Sequence, residues 1–172
     1  GRMLPMRPPW KRLLRVAGLF AGPFLVRLVC LLELRDAPFF RLLLVDARTY
    51  HETAAAMAAG TFRLEGPFWQ PPFYPLFLSW IYRIAGPSPD AARLVQILLG
   101  SASCFLVFRI GDRIFGRTAA WIAWAFVALC GPLIFFDLQL LGAGLVTFLL
   151  LLALDRTLAW LGGSRRRDLA GA

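Results

Sequence analysis

The chain has 172 residues, of which 59% are hydrophobic and only 17% are charged, and its formal net charge is +9. Soluble domains carry about a quarter charged residues, and a core of this size cannot bury so many apolar side chains. The composition therefore excludes a soluble domain and predicts an all-α integral membrane protein. The basic residues lie in short runs beside apolar segments, so the charge indicates membrane topology and no nucleic-acid partner.

Four apolar segments are each long enough to cross a bilayer, which needs about 20 residues. They are residues 13–32, 91–110, 119–136 and 138–160. The last two nearly fuse, because Asp137 is the only charged residue between positions 119 and 154. One straight helix over this stretch would be about 54 Å long, so the chain must turn. Gly131-Pro132 and Gly142 predict a turn that contains Asp137.

Residues 34–90 form a loop of mixed charge between the first and second spans. Within it, the alanine-rich segment Thr49–Gly60 predicts a short helix that Gly60 ends. The segment Phe73–Ala85 is apolar but too short to span. Its tyrosines, Trp80 and Arg83 favour a helix that lies in the membrane interface.

The positions of the basic residues favour a multi-pass protein of the cell (inner) membrane with both termini cytoplasmic, provided that Phe73–Ala85 does not cross. Asp46 and Asp137 then lie on the outer side. Since the sequence starts at Gly1 and ends abruptly, we expect it to be the N-terminal portion of a longer protein. The basic residues on the inner side are Arg2, Arg7, Lys11, Arg12, Arg15, Arg109, Arg113, Arg117, Arg156, Arg165, Arg166 and Arg167.

Two carboxylates have surroundings that indicate chemistry. Asp137 lies in the apolar run LIFFDLQLL, where an ionisable residue is costly and is a functional candidate by default; the alternative is a loop-tip residue that reaches water. Asp46 opens the segment VDARTYHETA. It is either a helix N-cap or a functional carboxylate at the membrane surface, with Tyr50 one helical turn away on the same face.

Several motifs occur in an order that resembles a known family. They are Asp46, Tyr50 and Ala54 at four-residue spacing, PFWQPPFYPLFLSWIYRIAG (67–86), Arg93, GDRIFGRTAA (111–120), Pro132 and FDLQLL (136–141). Together with the predicted topology, this order resembles the amino-terminal module of C-type (GT-C) polytopic glycosyltransferases. These include protein mannosyltransferases, lipid A aminoarabinose transferases and oligosaccharyltransferases. The resemblance runs from about Arg27 to Trp160 and is nearest to the bacterial protein-mannosyltransferase-like branch.

The resemblance implies roles for individual residues. Members take a sugar from a polyprenyl-phosphate or polyprenyl-diphosphate donor on the outer membrane face, and Asp46 matches their catalytic carboxylate. Tyr50 matches a tyrosine that contacts the donor phosphate in aminoarabinose transferases. Gln70 stands in this phosphate-binding region where those enzymes have a lysine. The phosphate-binding cation would therefore be Arg48, Arg93 or a residue beyond the end of this sequence.

The resemblance also implies a metal site. Asp137 matches an acid of the second external loop that helps to bind a divalent metal in oligosaccharyltransferases. Gln139 stands where relatives often have a second acid. The implied cofactor is Mg²⁺ or Mn²⁺, held by Asp137 and Gln139.

The predicted function is transfer of a sugar, with inversion, from a polyprenyl-phosphate-linked donor to an acceptor glycan, lipid or protein at the outer face of the membrane. Asp46 would act as general base on the acceptor hydroxyl. One alternative is a non-enzymatic membrane subunit or carrier, in which Arg27 and Asp137 line a polar path or pair helices. Another is an inactive, truncated piece of the transferase.

Overall fold

The computed structural model of the chain describes residues 9–63, 66–67 and 70–170. All regular secondary structure in this part is helical, which confirms the predicted class. The helices are α1 (Pro9–Leu34), α2 (Pro38–Arg41), α3 (Asp46–Ala59), α4 (Phe73–Ala85), α5 (Pro89–Ile114), α6 (Arg117–Leu129), α7 (Gly131–Leu138) and α8 (Ala143–Ala170).

Three described helices are long and apolar enough to cross a membrane, over Ala17–Leu34, Pro89–Ile114 and Ala143–Gly162. The pair α6 and α7 makes a fourth crossing if it is counted as one span bent by 53°. Helix α5 is central, because it packs against α1, α4, α6, α7 and α8. The protein is thus a helical membrane protein with three to four spans.

The bend between α6 and α7 corrects one prediction. Cys130 has an extended backbone, and Pro132 lies in the first turn of α7. Proline is favoured there because the first N–H groups of a helix have no intrahelical partner, so Gly131-Pro132 begins a new helix instead of a turn. Asp137 is consequently helical, the turn comprises residues 139–142, and α8 begins five residues after the predicted start of the fourth span at 138.

The loop between α1 and α5 contains both predicted short helices. Helix α4 has the predicted bounds, whereas α3 begins three residues earlier than predicted. Gly60 follows α3 with a left-handed φ of 71°, a conformation that glycine adopts without steric cost. The two helices pack through a buried cluster that includes Ala54, Leu78 and Tyr82.

Helix α4 buries three polar side chains, whereas several of its large apolar side chains and Arg83 are exposed. Tyr74, Ser79 and Tyr82 are buried, whereas Trp80 is 55% and Ile84 is 91% exposed. Phe73 and Leu76 lie on the same exposed side. A helix surrounded by water would show the opposite pattern. The exposed apolar side therefore supports the prediction that α4 lies against lipid.

Candidate active site

Asp46 is the first residue of α3, and its side chain is exposed. The N-cap residue is Val45, and no side chain caps the helix, so the alternative in which Asp46 serves as N-cap is wrong. Gln70 Nε2 donates a hydrogen bond to Asp46 Oδ1 at 2.7 Å. A neutral amide thus orients the carboxylate through one oxygen without neutralising its charge.

The backbone just before Asp46 is strained. Val45 has φ 48° and ψ −118°, and it is the only non-glycine residue with positive φ among those that the structure describes. A β-branched residue rarely adopts this conformation, and such strain costs about 1–3 kcal/mol and clusters at functional sites. Val45 is also 82% exposed, so the strain is not stabilised by burial of its own side chain.

Tyr50, one helical turn after Asp46, packs against the buried cluster that includes Tyr74. Its ring meets the ring of Tyr74 edge to face, with centroids 4.9 Å apart. Burial, and then the charge of Asp46, raises the pKa of Tyr50. Its hydroxyl therefore stays protonated and is a hydrogen-bond donor next to a carboxylate.

A buried polar network holds Tyr74 in place. Its hydroxyl donates to Gln96 Oε1 at 2.9 Å. Gln96 Nε2 in turn donates to the backbone oxygens of Gln139, at 2.7 Å, and of Asp137, at 3.3 Å. Burial raises the pKa of Tyr74 far above its usual value, so this hydroxyl remains a donor. The network links α4 to the turn after α7. Sequence reasoning missed it because no local pattern pairs Tyr74 with Gln96, which is 22 positions away.

The two arginines expected to bind phosphate have other partners. Arg48 Nε donates to Glu52 Oε1 at 2.7 Å on the exposed side of α3. Arg93 is 5% exposed and donates to Asp90 and to the backbone oxygens of Phe40 and Leu138. Its guanidinium also lies 4.3 Å from the centre of the Phe40 ring. Arg93 thus clamps α2, α5 and α7 together.

Asp137 is buried in an ion pair. It is 7% exposed, and its Oδ2 accepts a hydrogen bond of 2.8 Å from Nε of Arg27, which is 1% exposed. Gly100 and Gly144 make room for the carboxylate: a Cβ on Gly100 would lie 2.1 Å from Asp137 Oδ2, and one on Gly144 would lie 2.9 Å from Oδ1. The loop-tip alternative is therefore wrong, and the pairing of helices by Arg27 and Asp137 is observed.

The surroundings of Asp137 do not fit a divalent metal. Arg27 places a positive charge where a cation would bind, and the described residues contain no group of three histidines, cysteines or acids that could hold a metal ion. Hard cations prefer several oxygen ligands. Gln139 is seen in the network only through its backbone oxygen. We therefore assign no step to a metal.

Asp137 and Asp46 do not share the cavity that Asp137 lines. This cavity has a volume of about 260 Å³, lies among α1, α5, α6, α7 and α8, and does not include Asp46 among its lining residues. A further buried acid, Asp155, has no exposed surface and pairs with Arg109 at 3.1 Å and Arg113 at 3.5 Å.

These features define a polytopic helical membrane protein that presents an oriented carboxylate on a short helix outside its spans. A family model for dolichyl-phosphate-mannose-protein mannosyltransferases matches residues 69–166. The chain belongs to this family, whose members are membrane glycosyltransferases of the GT-C type. No curated protein and no solved structure matches the chain. The matched region includes Gln70, Arg93, Asp137 and Gln139, and it begins after Asp46, Arg48 and Tyr50.

Proposed function

We propose that this protein transfers a sugar from a polyprenyl-phosphate donor to an acceptor hydroxyl at the outer face of the cell membrane, with Asp46 as the general base. The observation that carries the proposal is the Asp46 carboxylate, which is exposed at the start of α3 and oriented by the Gln70 amide. A general base must reach the proton that it accepts with defined geometry. Membership of a glycosyltransferase family supports the reaction class.

In the proposed reaction Asp46 accepts the proton of the acceptor hydroxyl while that oxygen forms a bond to the anomeric carbon of the sugar. The bond between this carbon and the phosphate oxygen breaks, and polyprenyl phosphate leaves with the electron pair. Attack opposite the leaving group inverts the anomeric centre. Tyr50, whose hydroxyl is kept protonated by burial and by the charge of Asp46, donates a hydrogen bond to a phosphate oxygen.

The exposed apolar side of α4 supports the location of this chemistry. If Trp80 and Ile84 contact hydrocarbon, α4 lies in the membrane interface. Gln70 and Asp46 contact each other and precede α4 in the chain, and α3, which begins with Asp46, packs against α4. The reactive end of a lipid-linked sugar lies at the same depth, because its phosphate remains with the headgroups while its polyprenyl chain is buried. If α3 and α4 lie on the outer side of a four-span protein, both chain termini are cytoplasmic.

The proposal is tested by Asp46→Asn in the full-length protein, assayed with a polyprenyl-phosphate sugar. The amide keeps the shape of the side chain but cannot accept the proton, so transfer should fall by about 10²–10⁴. Glu52→Gln is the matched control, because Glu52 is an exposed acid on the same helix and pairs with Arg48. Transfer at the wild-type rate by the Asp46→Asn protein would contradict the assignment of the base.

The non-enzymatic alternative has one observation in its favour. The Arg27–Asp137 pair does join α1 to α7 and lines a cavity, as a subunit or carrier would require. A transferase needs the same helices to be held together, so the pair does not distinguish a transferase from a carrier or a structural subunit. Product formation that depends on added polyprenyl-phosphate sugar separates them, because a carrier or structural subunit gives none.

A further inference from the structure

Three arginines surround one buried acid where the last turns of α5 pack against α8. Asp155 of α8 has no exposed surface, and its carboxylate oxygens lie 3.1 Å from Arg109 Nη2 and 3.5 Å from Arg113 Nη1. Arg156 Nε lies 4.0 Å from the same carboxylate. We call these four residues the arginine cluster. The proposed reaction uses none of them.

The charges of the arginine cluster do not balance, because one carboxylate compensates only one of its three guanidiniums. The nearest other acid along α5, Asp112, pairs with Arg117. The contacts with the Asp155 carboxylate lack hydrogen-bond geometry within the described part of the chain, and Arg113 Nη1 donates to the Asp155 backbone oxygen at 3.0 Å. Each guanidinium has five N–H donors. The cluster therefore retains both positive charge and donors that a second anion could use.

The arginine cluster is accessible from the exposed side of α8. The side chain of Arg156 is 67% exposed, and those of Arg109 and Arg113 are about one-third exposed. Leu149, Arg156 and Trp160 are exposed and, at intervals of seven and four residues, share one face of the span Ala143–Gly162. Tryptophan is enriched at the level of the lipid headgroups. In a bilayer Arg156, one turn before Trp160, therefore lies just below the headgroups, and Leu149 lies beside the acyl chains.

The arginine cluster and Asp46 are at opposite ends of the spans. The loop that carries Asp46 meets α5 near its start, where Arg93 donates to the backbone oxygen of Phe40. Arg109 and Arg113 lie about 24–30 Å farther along α5, at a rise of 1.5 Å per residue. This distance is close to the thickness of the hydrocarbon core, which is about 30 Å. An anion at the cluster is therefore in the other leaflet and is a different molecule from a donor bound beside Asp46.

We propose that the arginine cluster binds the headgroup of an anionic phospholipid. Arg109 and Arg156 donate to the phosphate oxygens, Arg113 stays with Asp155, and the acyl chains lie along the face that contains Leu149. Arginine is suited to this chemistry because its planar donors match phosphate oxygens in pairs, and basic pockets between helices bind such headgroups. The uncompensated positive charge favours a lipid with net negative charge over a zwitterionic one. This proposal does not rest on the proposed function.

The test is a titration of the full-length protein in detergent with dioleoylphosphatidylglycerol or dioleoylphosphatidylcholine, in which native mass spectrometry counts the bound lipids. The wild type should bind the first phosphatidylglycerol about tenfold more tightly than phosphatidylcholine. Arg156→Gln should weaken phosphatidylglycerol binding about fivefold, since a basic residue near the lipid surface contributes about 1 kcal/mol. Arg109→Gln/Arg156→Gln should remove the preference, and it leaves Arg113 as the partner of Asp155. Arg117→Gln, which removes one charge beside the cluster, is the matched control and should bind as wild type.

Asp155→Asn gives a readout that a merely structural cluster would not change. The variant leaves three guanidiniums without an acid, so it should melt at a lower temperature than the wild type in phosphatidylcholine nanodiscs. Phosphatidylglycerol should raise the melting temperature of Asp155→Asn more than that of the wild type, because the lipid phosphate replaces the missing carboxylate. Equal increases in the two proteins would show that the lipid does not contact the cluster.

Three results of the titration would overturn the proposal. They are equal affinity of the wild type for the two lipids, unchanged phosphatidylglycerol binding by Arg156→Gln, and equal losses in Arg156→Gln and Arg117→Gln. The last would indicate a general effect of charge. Because the side chain of Arg156 is exposed, its removal leaves the core intact and the comparison stands even if the double variant does not fold. Inorganic phosphate should not displace phosphatidylglycerol, and displacement would assign the cluster to a soluble anion instead of a lipid.

Discussion

Arg27 and Asp137 belong to apolar segments on different helices, and each is the other's charge partner. Removing one member of a buried pair leaves an uncompensated charge and costs about 3–5 kcal/mol. Replacing both by apolar residues of similar volume is often much cheaper. The pair therefore specifies which faces of α1 and α7 meet. Its contribution to stability is measured best by a substitution that disturbs the geometry of the pair and leaves both charges in place.

Gly100→Ala disturbs that geometry without removing a charge. Its Cβ would lie 2.1 Å from Asp137 Oδ2 and 2.9 Å from Arg27 Nε, so these side chains must shift and the geometry of the pair is distorted. We expect a loss of several kcal/mol, on the order of breaking the buried pair, measured as a lower melting temperature in detergent. Gly18→Ala is the control, because a Cβ there meets no atom within 4 Å and alanine favours the helix by about 1 kcal/mol. Equal melting temperatures for the two variants would contradict this account.

His51 predicts how stability depends on pH. Its Nδ1 lies 2.8 Å from the Tyr82 hydroxyl, and burial lowers its pKa below 6.5 against the opposing charge of Glu52. A cavity beside it also contains Asp36 and Asp90. Because the unfolded chain binds the proton more readily than the folded chain, the stabilisation from neutral His51 is present above pH 6.5 and is lost as the pH falls below it.

Melting temperatures at pH 5.0 and pH 7.5 check this sign. The wild-type protein should melt lower at the acidic pH, and His51→Gln should reduce the difference. The chain has no other histidine, so no second imidazole contributes in this range. If the difference between the melting temperatures at the two pH values is the same in His51→Gln as in the wild type, the pH dependence is due to carboxylates.

At the scale of elements, the network of Tyr74 and Gln96 couples the short helices to the spans. We expect Gln96→Leu to raise the KM for the donor more than it lowers kcat, because Tyr74 and then Tyr50 lose their support while Asp46 keeps its bond to Gln70. Tyr74→Phe retains the ring contact with Tyr50 and should have the smaller effect. Steady-state kinetics of the full-length protein measure both. If Gln96→Leu lowers kcat and leaves the KM for the donor unchanged, Gln96 has no role in positioning the donor.

The elements also show which parts of the structure a sequence can predict. Helices α3 and α4 were predictable because Gly60 and an apolar run with interfacial aromatic residues are local signals. The start of a new helix at Gly131 was not, because Gly131-Pro132 is compatible with a turn and with a helix start, and so Asp137 was expected in a turn. The partners of Asp46, Asp137 and Arg93 come from distant parts of the chain. Local patterns contain no information about such distant contacts.

For the whole molecule, the remaining prediction is orientation. Single cysteines at Arg63 and at Asp112, in a chain whose Cys30, Cys104 and Cys130 are replaced, should react oppositely with a membrane-impermeant thiol reagent on intact cells. Arg63 should label from outside and Asp112 only after permeabilisation, because the basic residues near Asp112 favour the cytoplasmic side. Labelling of Asp112 alone from outside would reverse the orientation and place Asp46 in the cytoplasm.

The Arg27–Asp137 pair also has a consequence for biogenesis. The partners are separated by 110 positions, so at about 5–20 residues per second the ribosome needs roughly 6–22 s to make the acid after the base. During that interval α1 carries a charge that costs about 2.5–3.5 kcal/mol at the centre of an inserted helix. Helix α1 should therefore leave the translocon slowly, or remain at its lateral opening, until α7 emerges and neutralises it.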